Sequence, residues 1–357
     1  MYKSRILKLM GLLEKIDINS FIITRPENQY YISGFTGEGL TIITSNKSFI
    51  ITDSRYTEQA NNETNDFEIV EIQSGMSPFS TLFEIVNEYK LDNIGYESQS
   101  ITVKTYYELK KTFKQVNLIS TDGLIEELRV IKDSQEISLI KSAQQITDKA
   151  FQHILQFIKP GTNELELTAE LEYFMKKNGS IKTSFDTIVV SGPRTSLPHG
   201  IPSSRKLQVG DFVTIDFGAR FSLYCSDMTR TVIIGKPSEK QVLVYNTVLQ
   251  AQINALNYLK PYSIGKEVDE VARNFINKHG FGDYFGHGLG HGVGLHIHEE
   301  PRLSPKSKNQ LLPGMVVTVE PGIYIKDFGG VRIEDMVVIT ESGIDNLTKS
   351  EKQLICL

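Results

Sequence analysis

Two pairs of acidic residues stand in matching surroundings about a hundred positions apart. Val213-Thr214-Ile215-Asp216-Phe217-Gly218 is answered by Val317-Thr318-Val319-Glu320-Pro321-Gly322, an offset of 104. Each acid has a partner downstream, Asp227 within Ser226-Asp227-Met228-Thr229-Arg230 and Glu334 within Val331-Arg332-Ile333-Glu334-Asp335. The runs 213–219 and 224–234 are β-rich and separated by a short turn, which predicts a hairpin. Symmetry about Phe221/Ser222 sets Asp216 directly opposite Asp227, with Cβ atoms roughly 4.5–5.5 Å apart, where like charges destabilise a sheet. The same construction about Asp327 sets Glu320 opposite Glu334. Positive charge must therefore lie among these groups, and two dications would balance four carboxylates.

Any one of these acids, taken alone, reads as a solvated residue on the outer face of a hairpin. Four do not, because Ile215, Phe217, Met228, Val319, Ile333 and Met336 make the flanks apolar, and an unpaired carboxylate in such a strand is costly. Five of the seven histidines, His199, His287, His291, His296 and His298, fall in two segments beside the hairpins. His287 and His291 have the i, i+4 spacing of a helical zinc pair. Glycines at 286, 288, 290, 292 and 294 argue against a helix there, at roughly 1 kcal/mol each. The stretch is expected to be extended or looped, with backbone lying close to a ligand. One nitrogen ligand among carboxylates admits manganese, cobalt, iron or zinc, and manganese suits the oxygen-rich set best.

The elements that must carry these groups are also duplicated. Lys159-Pro160 and Lys260-Pro261 each sit between two helical patterns, which end at Lys177-Asn178-Gly179 and Lys278-His279-Gly280, an offset of 101. Each half reads helix, helix, strands, so the expected class is α+β, two similar halves around a central antiparallel sheet. His291 has no counterpart in the first half. Upstream, short β-rich runs (20–24, 40–44, 48–52, 67–72) alternate with helical patterns at 80–88 and 104–113, an α/β signature. An amphipathic helix with Ile6, Leu7, Met10, Leu13 and Ile16 precedes them. Asp133-Ser134-Gln135-Glu136 supplies a capping box for the first helix of the downstream part. The expected domains are 1–130, a smaller α/β unit, and 131–357.

The chain has 357 residues, a net charge of -5 and 23% charged residues. That balance carries no basic face for nucleic acid. No run of eighteen apolar residues exists to span a membrane, and the first residues lack a signal-peptide core. Two cysteines, Cys225 and Cys356, are too few for a disulfide framework, which fits a reducing cytoplasm.

The ordered set Asp216, Asp227, His291, Glu320 and Glu334 resembles the five-ligand dinuclear site of the pita-bread metallopeptidases, the superfamily of methionine aminopeptidases, prolidases, aminopeptidase P and creatinase. Ser196-Leu197-Pro198-His199-Gly200, Gly290-His291-Gly292-Val293-Gly294-Leu295 with His298-Glu299, and Val331-Arg332-Ile333-Glu334-Asp335 resemble its proline-specific branch. Tyr30-Tyr31-Ile32-Ser33-Gly34-Phe35 and Thr52-Asp53-Ser54-Arg55-Tyr56 resemble the creatinase-like N-terminal domain found in prolidases and aminopeptidase P. The resemblance implies a pita-bread catalytic domain, two divalent ions, a proline-containing peptide substrate and a homodimer. It also implies that Glu320, besides binding metal, accepts the proton of the attacking water and returns it to the leaving nitrogen. By the same resemblance His199 stabilises the tetrahedral intermediate, His298 contacts substrate near the scissile bond and His287 lines the pocket.

Arg332, two residues before Glu334, is placed to orient that carboxylate, and Arg302 to meet the substrate carboxylate. The expected activity is hydrolysis of the bond preceding proline, as a Xaa-Pro dipeptidase or, alternatively, as an aminopeptidase releasing the residue before proline. The compact N-terminal domain favours the dipeptidase. Methionine aminopeptidase is disfavoured by that extra domain and by the His298-Glu299 context. A non-catalytic peptide-binding scaffold, or metal-free creatinase chemistry, is disfavoured because all five ligands are present.

Overall fold

The computed structural model describes residues 2–357. The chain divides into two compact units, one ending at Arg129 and the other spanning Val130–Leu357. In the first, six strands lie in the order Glu68–Glu71, Ser48–Thr52, Leu40–Thr44, Ser20–Ile23, Asn93–Glu97, Asn117–Thr121. Ser20–Ile23 runs parallel to Asn93–Glu97, and that strand parallel to Asn117–Thr121. The strands Ser20–Ile23, Leu40–Thr44 and Ser48–Thr52 are buried at every position, so they read as continuous apolar runs rather than alternating ones. Helices Pro78–Glu88 and Val103–Thr112 bring Leu82, Ile85, Val86 and Leu109 into a core with Ile22, Ile42 and Ile94.

The N-terminal helix, Tyr2–Glu14, buries a different stripe from the expected one. Arg5, Leu9 and Leu13 face inward, while Leu7 is 66% and Ile16 47% exposed. The reason is Arg5, whose Nη1 donates to the Tyr31 carbonyl at 2.9 Å and whose guanidinium lies 3.9 Å from the Tyr31 ring centroid. A cation that is both hydrogen-bonded and stacked on an aromatic face is accepted inside.

The second unit opens at helix Ser134–Ile154. Asp133 accepts from the backbone N–H of Gln135 and Glu136, and Glu136 accepts in return from Asp133 N–H, so the capping box is formed. The duplication is visible in space as two helix pairs, Ser134–Ile154 with Glu164–Lys177 and Glu239–Tyr258 with Gly265–Lys278, each followed by antiparallel strands. In the first half, Phe212–Phe217 is flanked by Ile188–Ser191 and Met228–Ile233. In the second, Val316–Val319 is flanked by Gly290–Gly292 and Asp335–Ile339. Each half keeps its own apolar core, one built around Ile215, Phe217 and Met228, the other around Val317, Val319 and Ile333.

The two hairpins differ in how well their registers follow from symmetry. The second is centred on Asp327 as expected: Val319 pairs with Asp335 and Gly322 with Arg332, which leaves Glu320 facing Glu334. The first is centred one residue later than expected. Ser222 and Leu223 both have positive φ, 46° and 69°, as the two central residues of a type I′ hairpin turn require. Arg220 then pairs with Cys225 and Asp216 with Thr229. Asp227 is thus the diagonal neighbour of Asp216 rather than its direct partner. Moving the centre by one residue moves the partner by two, so both acids still share a face.

The register also locates what breaks the symmetry. Val190 lies opposite Thr214 in the first half; one step along from the Gly292–Val317 pair, His291 lies opposite Thr318, the residue 104 positions after Thr214. The candidate histidine ligand therefore takes the place held by Val190. Its strand needs the two glycines beside it, because a Cβ on Gly290 would collide with the Thr318 carbonyl and one on Gly292 with the Glu300 carbonyl. Gly290→Ala is expected to destabilise the protein by about 2 kcal/mol or more. Gly343→Ala, with nothing within 4 Å of the new Cβ, should stay within about 0.5 kcal/mol. Urea unfolding of the two variants checks both; equal effects would contradict the packing described.

Candidate metal centre

The five candidate ligands arrive at strand ends. Asp216 lies near the end of Phe212–Phe217, Asp227 immediately before Met228–Ile233, Glu334 immediately before Asp335–Ile339, Glu320 immediately after Val316–Val319, and His291 within Gly290–Gly292. Asp216, Asp227, His291 and Glu334 are buried, and Glu320 keeps 17% of its side chain exposed. His291 Nε2 lies 3.6 Å from Asp227 Oδ2 and 3.3 Å from Glu320 Oε1. Asp227, His291 and Glu334 offer ligand atoms all within 4.8 Å of one another. The structure thus brings together the acid pairs and the histidine that the sequence singles out.

Protonation makes the case for a cation. Burial, and then the neighbouring acids Glu334, Asp216 and Glu320, hold Asp227 well above the ordinary carboxylate range. Burial likewise raises Glu334, with Glu320 and Asp216 adding to it, and pushes Glu320 up to about 8. Burial lowers His291 to about 3, so its ring is neutral. Nδ1 lies 3.0 Å from the Gly292 carbonyl, and as the donor there it leaves the Nε2 lone pair toward the carboxylates. Three acids and one imidazole lone pair repel one another in this arrangement, and Asp216 Oδ1 and Glu334 Oε1 are buried with no hydrogen-bond partner. Such atoms normally have partners. Divalent ions would satisfy both and reverse the repulsion, so the donor set fits a hard, oxygen-rich metal site.

The groups around the ligands correct one expectation. Arg332 does not contact Glu334; its Nη2 donates to Asp216 Oδ2 at 2.5 Å. Arg332 Nε instead donates to Thr229 Oγ1 at 3.0 Å, and that hydroxyl donates to Glu334 Oε2 at 2.8 Å. The arginine reaches across to the other half because Thr231 Oγ1 accepts from Arg332 N–H and donates to its carbonyl, lacing the strands together. Arg332 Nη1 also donates to Tyr324 OH at 2.9 Å, and Tyr324 OH lies 2.9 Å from His287 Nε2. With Nδ1 2.8 Å from the Gly288 carbonyl, both His287 nitrogens are engaged, and burial lowers that ring to about 4. His287 is a neutral acceptor that fixes Tyr324.

His199, His298 and Arg302 form an exposed rim. The His298 ring stands edge-on to His291 at 4.4 Å, burial followed by Arg302 lowers its pKa, and Arg302 pairs with His291 across the ladder. His199 lies within electrostatic reach of both His287 and His298. His296 contacts the backbone of His298 through Nδ1.

Sequence reasoning passed over Thr229 and Tyr324. Thr229 had a signal, since it is two residues from Asp227 and therefore on its face. Tyr324 had none, because its role depends on a hairpin folding back over Arg332.

Residues 138–341 match the model of metallopeptidase family M24, and residues 5–131 match the creatinase/prolidase N-terminal domain. Fold, ligand geometry and match agree: the chain belongs to metallopeptidase family M24 and is a metal-dependent hydrolase. A Xaa-Pro dipeptidase of Pyrococcus furiosus is 41% identical over 356 residues, 99% of this chain and 100% of that protein. A solved structure of a Xaa-Pro dipeptidase from Bacillus anthracis is 43% identical, with a TM-score of 0.97 covering 100% of both chains. A structure of an X-Pro aminopeptidase from Thermotoga maritima is 40% identical, with a TM-score of 0.91 covering 96% of this chain and 99% of that one.

Two outcomes are expected. Without metal, Asp227, Glu320 and Glu334 retain protons that the unfolded chain has lost above about pH 4, so the folded state binds more protons and apo stability falls as pH rises toward about 8. Melting of chelator-treated protein from about pH 5 to about pH 8 should show that decline and added divalent ion should remove it; a pH-independent gap between the two forms would refute it. Thr229→Val should weaken metal binding by about 10–100-fold, measured by calorimetry, because Glu334 and Arg332 lose their common partner.

Proposed function

We infer that this chain is a metal-dependent Xaa-Pro dipeptidase. The observation that carries the reading is the cluster of five candidate ligands with an exposed cation, Arg302, directly across the ladder from His291 and 3.9 Å from its nearest acid, Glu300. Asp216, Asp227, His291, Glu320 and Glu334 would hold the ions. When bound, two divalent ions activate a water and polarise the scissile carbonyl. We propose manganese as the physiological ion, from the preponderance of carboxylate oxygens.

The protein's own groups divide the remaining work. Glu320, whose side chain keeps partial access to solvent, accepts the proton of the attacking water and returns it to the proline nitrogen. A prolyl amide has no N–H, so recognition must come from elsewhere. His199 donates toward the oxyanion as it develops, and His298 contacts the substrate near the scissile bond. Arg302 captures the free carboxylate of the dipeptide, which favours a dipeptidase over an aminopeptidase whose substrates continue past proline. His287 and Arg332 hold Tyr324 and Asp216 and so shape the pocket floor. We further propose a homodimer acting in the cytoplasm; the resemblance to prolidases supports the first, and a cysteine count of two, too few for a disulfide framework, supports the second. No helix among the described residues is long and apolar enough to cross a membrane.

The aminopeptidase reading stays in play through the Thermotoga maritima relative, and one assay separates the two. Metal-stripped protein restored with manganese should cleave a Xaa-Pro dipeptide, and Glu334→Ala should lower that rate by more than the ~100-fold upper range for groups around a ligand. Cleavage of a Xaa-Pro-Xaa tripeptide alone would make the enzyme an aminopeptidase. Arg302→Ala should raise KM for the dipeptide by at least about tenfold, the usual effect of losing a charged hydrogen bond of 1.5–3 kcal/mol, and leave a C-terminally amidated dipeptide unaffected. Equal losses on both would remove the carboxylate role.

A further inference from the structure

We propose that Glu164 is a positioning residue, which holds His199 over the metal centre by clamping both ends of the loop that carries it. The proposal rests on the assignment of His199 made above.

Glu164 sits in the first turn of helix Glu164–Lys177 and is completely buried. Its Oε1 accepts from both the N–H and the hydroxyl of Ser191 at 2.8 Å. Its Oε2 accepts from the N–H of Ser203 at 2.9 Å and from its hydroxyl at 2.7 Å. Arg194 Nε lies 3.3 and 3.2 Å from the two oxygens. One carboxylate thus binds the last residue of strand Ile188–Ser191, the point where the chain leaves the loop, and a cation within it. His199 is one of the exposed residues between those anchors. A fully desolvated charge is tolerated only when its lone pairs are filled, and here all the donors come from one loop. The middle of the loop has a separate anchor, Thr195 Oγ1, which accepts from Gly330 N–H at 2.8 Å in the hairpin that carries Arg332.

The second half contains a device of the same kind. Asp269, on helix Gly265–Lys278, is completely buried and accepts from Leu289 N–H at 3.0 Å and from Arg273 Nε at 2.7 Å. Arg273 in turn donates to the carbonyls of Phe285 and His287. The stretch leading to His291 is therefore referenced to a helix by a buried acid and an arginine, as the His199 loop is. The offset of 101 puts Gly265 at the place of Glu164, so the two halves share the task and not the residue.

The test is a double-mutant cycle on the manganese-loaded enzyme with a Xaa-Pro dipeptide, using Glu164→Gln, His199→Ala and the pair. Gln keeps the shape but turns one acceptor into a donor that faces the serine N–H groups. Glu164→Gln should lower kcat about tenfold with KM and manganese affinity within about twofold, and should add less than about twofold once His199 is alanine, as expected for residues acting through one another. Equal factors in both backgrounds, or manganese affinity falling in step with kcat, would overturn the proposal while leaving the role of His199 intact. If His199→Ala alone leaves kcat unchanged, the assignment of His199 fails and the proposal with it. Should Glu164→Gln not fold, Ser203→Ala takes its place in the same cycle, since it removes one hydroxyl donor and keeps the charge.

Discussion

Mutual repulsion among the buried carboxylates is the constraint on which the rest of the catalytic unit depends. Asp227 and Glu334 are nearly inaccessible to water, and among the described residues the nearest cation, Arg332, is ion-paired with Asp216 and lowers their pKa values less than burial and the other acids raise them. Apolar residues such as Ile215, Met228 and Ile333 exclude water from their flanks, which strengthens repulsion and attraction alike. The arrangement is unfavourable without cations and strongly favourable with them. Burial and that repulsion together raise the pKa values of the acids, and burial keeps the imidazole neutral, so that its lone pair joins them. The repulsion also accounts for the threonines: hydroxyls at Thr229 and Thr318 add donors to the carboxylates without adding charge.

The halves cooperate because neither is electrically complete. Each presents a pair of acids on one hairpin, and the hydrogen bonds that orient those acids cross between the hairpins: Thr229 of the first reaches Glu334 of the second, and Arg332 of the second reaches Asp216 of the first. Behind this lattice Arg230 is fully buried with its donors given to the carbonyls of Thr229, Glu334, Ser350 and Glu351 and to the Asp335 carboxylate. The C-terminal segment is thereby tied to the backbone of a candidate metal ligand, Glu334.

Much of this was legible in the chain before the structure. The acid pairs could be found because a repeated motif preserves face as well as type, and a strand keeps its alternation even when a register is misjudged by two. That is why the displaced centre of the first hairpin moved Asp227 to a diagonal without turning it away from Asp216. The capping box at Asp133 was legible because it is local. What could not be read was anything set by a long-range approach. Arg332 was assigned to the acid two residues along its own strand, whereas a long side chain finds the best-placed carboxylate wherever it lies, here 116 positions away. Tyr324 was invisible for the same reason, and the buried face of the first helix was missed because Arg5 looks like a surface residue until Tyr31 is placed beside it.

The position opposite Thr214 and Thr318 is occupied by Val190 in one half and by His291 in the other. A pair of equivalent halves would offer two equivalent ions the same ligands and hence the same affinity. One histidine on one side removes that degeneracy. Two ions held between the halves would meet unlike donors, because a neutral imidazole stands on one side alone, and they would differ in affinity.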